Sequence, residues 1–375
     1  PIVKHYKATL KDLIEHYDDE RVYIDEQGVL HFATKKDVHV VWDDLADMKD
    51  INLQKTYSMR DHETGANKYR FDESLSANSH EDARYDSAHI ANGMLRLSFR
   101  VPVDYKGEFN VTLPQFRPTI TRSFYADGLN INEYRITVNT KDHTLIFDHE
   151  GNNSIINVEL EADFETVGDP NSNLTARYQY RDVTTNALFG YFGQRTAELK
   201  DQKQVIDDVK SILEYISFEL NEITYSLNST NYIGAPFDVH ATNIRFYKAE
   251  EDEDSELLLV DGKSEIKTSV ESPKYSDNIV PTFSEVIVDS KSSNVLQIAN
   301  PLPEKIIADI SAISNPQGED INKPNYYTGY DTLFAELKFQ APLTIKIKEF
   351  SRKDTIDFDF RDMVENKREN VENIT

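Results

Sequence analysis

Apolar and polar residues alternate over several short stretches of this chain, most clearly in Ile156-Asn157-Val158-Glu159-Leu160-Glu161-Ala162-Asp163-Phe164. Successive side chains of a strand point to opposite faces, so the pattern predicts an antiparallel strand with one buried and one wet side. Shorter runs of the same kind lie at 94–101, 109–113 and 134–138, and again at 244–247, 257–260, 283–288 and 343–347. Asp127-Gly128, Glu150-Gly151, Gly168-Asp169-Pro170 and Asp261-Gly262 supply the turn chemistry that punctuates them. Near the start, two apolar runs in Arg21–Phe32 flank a polar turn ending at Gly28, which predicts a hairpin. Before it, Thr9–His16 predicts a short helix with Thr9 as its N-cap.

A different period governs the middle of the chain. Leu199, Gln202, Ile206, Val209, Leu213, Ile216, Leu220, Ile223 and Leu227 follow a heptad spacing in which Gln202 is the only polar member. This predicts a central helix over about 195–228, roughly 50 Å long at about 1.5 Å per residue. Leu predominates at the a positions and β-branched residues at d, a combination that favours trimers or tetramers over a parallel dimer. These nine residues therefore form the expected oligomer interface of a homotrimer. The alternative is that the stripe packs on the sheets of its own chain.

The expected fold class is mainly β with a long central α-helix, two β-sandwich-like regions being joined by a trimeric coiled coil. The expected domains are an N-terminal docking segment (1–50), a β domain opening on a long polar arm (51–190), the coiled-coil helix (191–232), a C-terminal β domain (233–361) and a charged tail (362–375). The arm is assigned to 51–92, where Asn, Asp, Glu, Arg, Ser and His are frequent and apolar positions few.

Composition narrows the function classes. The 375 residues carry 41 Lys and Arg against 66 Asp and Glu, a net charge of −25 that repels phosphate backbones wherever it is not strongly segregated. Nucleic acid is not an expected partner. No run of about 20 apolar residues occurs, so no membrane-spanning helix is expected. The chain holds no Cys, which removes disulfides, thiolate metal sites and thiol nucleophiles, and fits a protein made in a cytosol and used outside it.

Candidate chemistry is sparse. His62, Glu63, His80, Glu81, Asp82, Asp86 and His89 are metal-capable but match no ligand spacing, and the acidic run 250–254 reads as a solvated loop. Gly-x-Ser-x-Gly, P-loop and Gly-x-Gly-x-x-Gly signatures do not occur, so no catalytic residue, metal or cofactor is expected. Tyr326, Tyr327 and Tyr330 form the candidate ligand-binding loop, because tyrosine rings stack on sugar faces or anchor a protein partner with little entropy lost.

The order of docking segment, β domain, central helix at 199–227 and second β domain resembles the tail-fibre and baseplate structural proteins of tailed phages infecting Gram-positive bacteria. The resemblance implies a non-enzymatic virion protein of the phage tail, made in the host cytoplasm. Its implied partners are two sister copies, other tail or baseplate proteins and cell-wall polysaccharide. The competing readings are a capsid, collar or connector protein with no receptor role, and a wall-polysaccharide-degrading enzyme.

Overall fold

The computed structural model describes residues 21–27, 29–40, 46–129, 133–206, 217–220, 222–249, 254–329 and 332–346. They form 24 strands in four antiparallel sheets, with one short α-helix, α1 (Val295–Ile298), among the described residues.

Sheets I and II make a first sandwich. Sheet I holds β3 (Ile51–Ser58), β6 (Arg84–Arg100), β8 (Phe116–Arg117), β10 (Glu133–Asn139), β11 (Thr144–Ile146) and β14 (Asn173–Tyr191), plus β23 (Asn325–Tyr327) from much later in the chain. Sheet II holds β4 (Glu63–Gly65), β5 (Lys68–Ser76), β7 (Lys106–Leu113), β9 (Ile120–Asp127), β12 (Asp148–Glu150) and β13 (Asn153–Thr166). The alternation at 156–164 is β13, with Val158, Leu160, Ala162 and Phe164 buried. Rings fill the space between the sheets. Phe164 lies 5.2 Å from Tyr69, 5.0 Å from Tyr105 and 5.2 Å from Phe109, while Phe99 of sheet I stacks on Phe124 of sheet II at 5.5 Å.

Sheets III and IV make the second sandwich. Sheet III holds β1 (Val22–Ile24), β2 (Leu30–Val40), β16 (Ser217–Leu220), β17 (Thr224–Asn231), β21 (Thr282–Asp289) and β24 (Leu333–Lys346). Sheet IV holds β15 (Thr196–Val205), β18 (Phe237–Tyr247), β19 (Ser255–Leu257), β20 (Glu265–Val270) and β22 (Lys305–Ser314). Phe246 of sheet IV meets Tyr225 at 6.0 Å and Phe339 at 6.2 Å, and Phe339 meets Phe32 at 6.0 Å. Apart from β23, the first sandwich is thus inserted, in sequence, between β2 and β15 of the second.

Three sequence expectations are corrected. Among the described residues of that segment there is no central helix or coiled coil: β15, β16 and β17 occupy them. Leu199 pairs with Ile310, and Gln202 with Ala308 beyond a bulge where Asp201 takes φ 53°. Ile206 and Ile223 are buried, Leu220 pairs with Leu343, and Leu227 sits between Leu337 and Val286. Val209, Leu213 and Ile216 lie outside the described residues. The reason is that a four-residue spacing such as Ile223–Leu227 is also two strand periods. Thr224, Tyr225, Ser226 and Thr230 between and after them are strand formers or poor helix formers, and β21 and β24 hydrogen-bond this segment from both sides.

Second, residues 51–92 are not a polar arm but β3, β4, β5 and the start of β6. Tyr57, Tyr69, Phe71, Leu75 and Tyr85 point inward while Lys68, Arg70 and Asp72 face water, so low average hydropathy concealed a regular alternation. Third, the segment 1–50 does not stand apart. Its hairpin forms, with Ile24 opposite Leu30, but β2 then pairs with β24 from Leu30–Leu343 to Val40–Leu333. The predicted helix at 9–16 and the tail 362–375 lie outside the described residues.

Tyr225 has a fully buried side chain whose hydroxyl has no hydrogen-bond partner among the described residues, and burial pushes its phenol far up from the usual range. An unpaired buried hydroxyl costs stability that a ring of the same shape does not. Tyr225→Phe is expected to raise the unfolding free energy by about 1 kcal/mol, read from the midpoint shift in urea at unchanged m-value. A destabilised variant would show that the hydroxyl is satisfied.

Candidate functional site: an aromatic and acidic groove on sheet III

The outward face of sheet III is built by the register of four strands. One cross-strand row runs Asp37 (β2), Glu336 (β24), Asn228 (β17), Glu285 (β21), and the next runs His39, Phe334, Thr230, Phe283. Strand alternation commits every other residue of these strands to this face, while Val38, Leu337, Leu227 and Val288 face the core. Asp37, Asn228, Thr230, Phe283, Phe334, Ala335 and Glu336 line a groove of about 260 Å³.

Two apolar platforms stand in the second row, on one side of the polar row. Phe334 is held edge-on by His39 at 4.6 Å and Tyr232 at 5.9 Å, whereas Phe283 on the edge strand is 63% exposed. Beside them, in the polar row, Asn228 donates from Nδ2 to Glu336 Oε1 at 2.9 Å, and Lys35 Nζ donates to Glu336 Oε2 at 3.2 Å. Burial by itself raises the Glu336 carboxyl, but the hydrogen bonds from Asn228 and Lys35 outweigh it and hold the group below its ordinary range. Glu336 is therefore an ionised acceptor at neutral pH. Asn228 Oδ1 is buried without a partner among the described residues, a second acceptor that a bound hydroxyl would satisfy. Acceptors in a row beside these rings fit a polyhydroxylated ligand, whose O–H groups donate while its C–H faces cover the rings.

The tyrosines singled out in the sequence lie elsewhere. Tyr326 and Tyr327 belong to β23, which extends sheet I by pairing with Leu188–Gly190 of β14. Tyr326 is buried and packs on Tyr275 at 5.1 Å, which in turn meets Phe189 at 4.9 Å. These rings join the two sandwiches and are not displayed to solvent as a set. Tyr330 lies outside the described residues. Close backbone approach makes the joint possible: a Cβ on Gly190 would collide with Arg84 O, and one on Gly234 with Tyr326 O. A bidentate pair ties the same region together, Arg195 Nη1 and Nη2 reaching Asp82 at 2.8 and 2.7 Å, and the hydrogen bonds from Arg195 hold the Asp82 carboxyl below its usual range.

The metal-capable residues are dispersed. Asp82 is committed to Arg195, Asp86 lies near Arg84 and His149, His62 Nδ1 bonds Ser58 O at 2.8 Å, and His89 packs against Phe189. Among the described residues no three His, Asp or Glu side chains converge as a metal site. The groove itself had no sequence signal. Its members are scattered over residues 37, 228, 230, 283 and 334–336, and only the order β2–β24–β17–β21 brings them side by side.

No protein-family model matches this chain, and no curated protein does. Among solved structures, a protein of Parabacteroides distasonis aligns at 11% identity over 89% of this chain and 96% of its own, with a TM-score of 0.24. The structure of Broad Bean Stain Virus aligns at 9% identity over 85% and 96%, with a TM-score of 0.19. The VP2 subviral particle of infectious bursal disease virus aligns at 11% identity over 96% and 93%, with a TM-score of 0.16. Likeness at these TM-scores carries no argument about this chain.

Proposed function

We propose that this chain is a non-catalytic structural protein of a virion that contacts host-surface glycan through the groove on sheet III. The observation that carries the glycan contact is the row Asp37–Glu336–Asn228 set beside Phe334 and Phe283. The virion setting is supported by a large cysteine-free β architecture stabilised by packing alone. The resemblance to fibre proteins rested on residues 199–227 as a helix, and that support falls with the helix; the reading retains the virion and the glycan.

Binding of the intact chain to purified host-wall polysaccharide tests the groove. Phe283→Ala and Phe334→Ala are each expected to weaken binding by about tenfold, in line with about 1–3 kcal/mol for a stacked ring, and Glu336→Gln by a similar factor. Phe283 is the cleaner probe because its exposure leaves stability unchanged. Wild-type protein that binds no wall glycan would favour the capsid, collar or connector reading. Immunogold labelling of purified virions tests the setting, and label absent from the particle would remove it.

A further inference from the structure

The first sandwich segregates charge in a way the net value conceals. On sheet I, the outward residues of the four strands β3–β14–β6–β10 include Arg96, Arg100, Arg135, Arg177 and Arg181, all exposed. Where the four strands run side by side, over 52–58, 173–181, 94–100 and 133–139, the one outward carboxylate is Glu133, which pairs with Arg135 at 2.7 Å; Asp50 and Asp182 stand at the rim, where the Asp182 amide bonds the Asp50 carboxylate, and Asp86 lies farther along β6 beside Arg84 and His149. Register sets the arginines in a checkerboard. Arg96 is opposite Gln179 and Arg100 opposite Thr175, so Arg177 is diagonal to both, as is Arg135 on the other flank, opposite Ser98. Diagonal neighbours in a sheet lie about 7–8 Å apart.

The opposite face of the same sandwich has the opposite sign. Sheet II turns outward Asp72, Glu108, Asp127, Glu159, Glu161, Asp163 and Glu165 against Lys68, Arg70 and Lys106. Arg70 already bridges Asp72, Glu159 and Glu161, at 2.7, 3.2 and 3.3 Å, while Asp163, beside Glu108 at the far side, lies 3.6 Å from Lys68. In a chain of net charge −25, a five-arginine face runs against the prevailing sign and attracts an anionic surface.

We propose that the arginine face of sheet I docks on the acidic face of sheet II of a second copy of this chain. The charge complementarity is on one molecule, and arginine suits the role because its planar fork binds carboxylates in pairs. The two patches lie on opposite sides of one sandwich, so the contact is heterologous: every copy that docks leaves its own far face free, and the association propagates as an open stack or a ring. Four strands about 4.8 Å apart and about 25 Å long offer roughly 500 Å² per copy, which belongs to the weak, transient size class and gains strength from repetition. The contact uses only the first sandwich and is independent of the sheet III groove.

Sedimentation velocity on the full chain across a range of protein and salt concentrations tests this. Global repulsion between copies of charge −25 opposes contact at low ionic strength, where the screening length is about 30 Å, and the close-range pairs are themselves screened near 1 M, where it is about 3 Å. Association is therefore expected to peak near 0.1 M salt and vanish at the high end. Arg96→Glu with Arg177→Glu cancels the positive charge of the sheet I face, and Glu161→Lys with Asp163→Lys cancels the negative charge of the sheet II face; each alone is expected to lose at least tenfold in association. Their equimolar mixture is expected to regain it, because each then supplies the face the other lacks. All four substitutions are at exposed positions, and unchanged thermal unfolding verifies the fold. A wild-type monomer at every salt, or a mixture that stays dissociated, overturns the proposal. So does a wild-type chain that ignores its own kind but binds polyphosphate or heparin through the arginines.

Discussion

Deleting residues 1–45 is expected to abolish folding of the second sandwich while the first keeps its own unfolding transition. The deleted segment carries β2, which forms an eleven-residue ladder with β24 and buries Leu30, Phe32, Val38 and Val40. At about 1.5–3 kcal/mol for each large buried side chain, their loss is on the order of 6–12 kcal/mol, an upper figure because unfolded chains are themselves partly compact. That is comparable with the whole stability of a typical domain, about 5–15 kcal/mol. Calorimetry of the truncated chain should show the second transition missing, and hydrogen exchange should find β24 and β17 unprotected. In the companion chain a long Gly/Ser linker replaces 51–191, keeping β2 and removing the insertion, and the second sandwich should fold. A truncated protein that retains both transitions would disprove the assignment of β2 to this core.

Phe164→Ala and Phe339→Ala are each expected to cost about 3–5 kcal/mol, as large-to-small changes in a packed core do, but in different places. Phe164 touches three rings of the first sandwich, and Phe339 touches Phe32 and Phe246 in the second. Native-state hydrogen exchange should show protection falling in β5, β7 and β13 for the first variant and in β2, β17 and β24 for the second. If either variant lowers protection evenly through both sandwiches, then the joint at Tyr326, Tyr275, Phe189 and the Asp82–Arg195 pair couples them into one cooperative unit.

Strands were legible wherever one face is wet. β13 reads directly from the chain because Asn157, Glu159, Glu161 and Asp163 alternate with buried apolar neighbours. β5 carries the same alternation in Tyr69 and Phe71, yet Lys68, Arg70, Asp72 and Glu73 surround them and lower the average, so a composition reading missed it. β17 failed for the opposite reason. As an interior strand of sheet III it is buried on both faces over Tyr225–Leu227, and its polar Ser226, Ser229 and Asn231 are themselves buried, so polarity does not mark a wet face. The bulge at Asp201 shifted the parity of β15 in the middle, which let Leu199, Gln202 and Ile206 fall on helical spacing.

The groove and the charged faces divide along the same line. Each arginine of sheet I and each acid of sheet II is set outward by its own strand's alternation, a local property that the chain encodes by itself. Which strands lie next to one another is not local. β2 meets β24 across some three hundred residues, and that pairing alone sets Asp37 beside Glu336 and His39 beside Phe334. The amino-acid order therefore determined an acidic, cysteine-free, mostly β protein and the inward or outward aim of most strand residues. The tertiary structure decided that the described part of its middle is sheet and not helix, that one sandwich interrupts the other, and where side chains from distant strands converge, because backbone hydrogen bonds pair strands without regard to their separation in sequence.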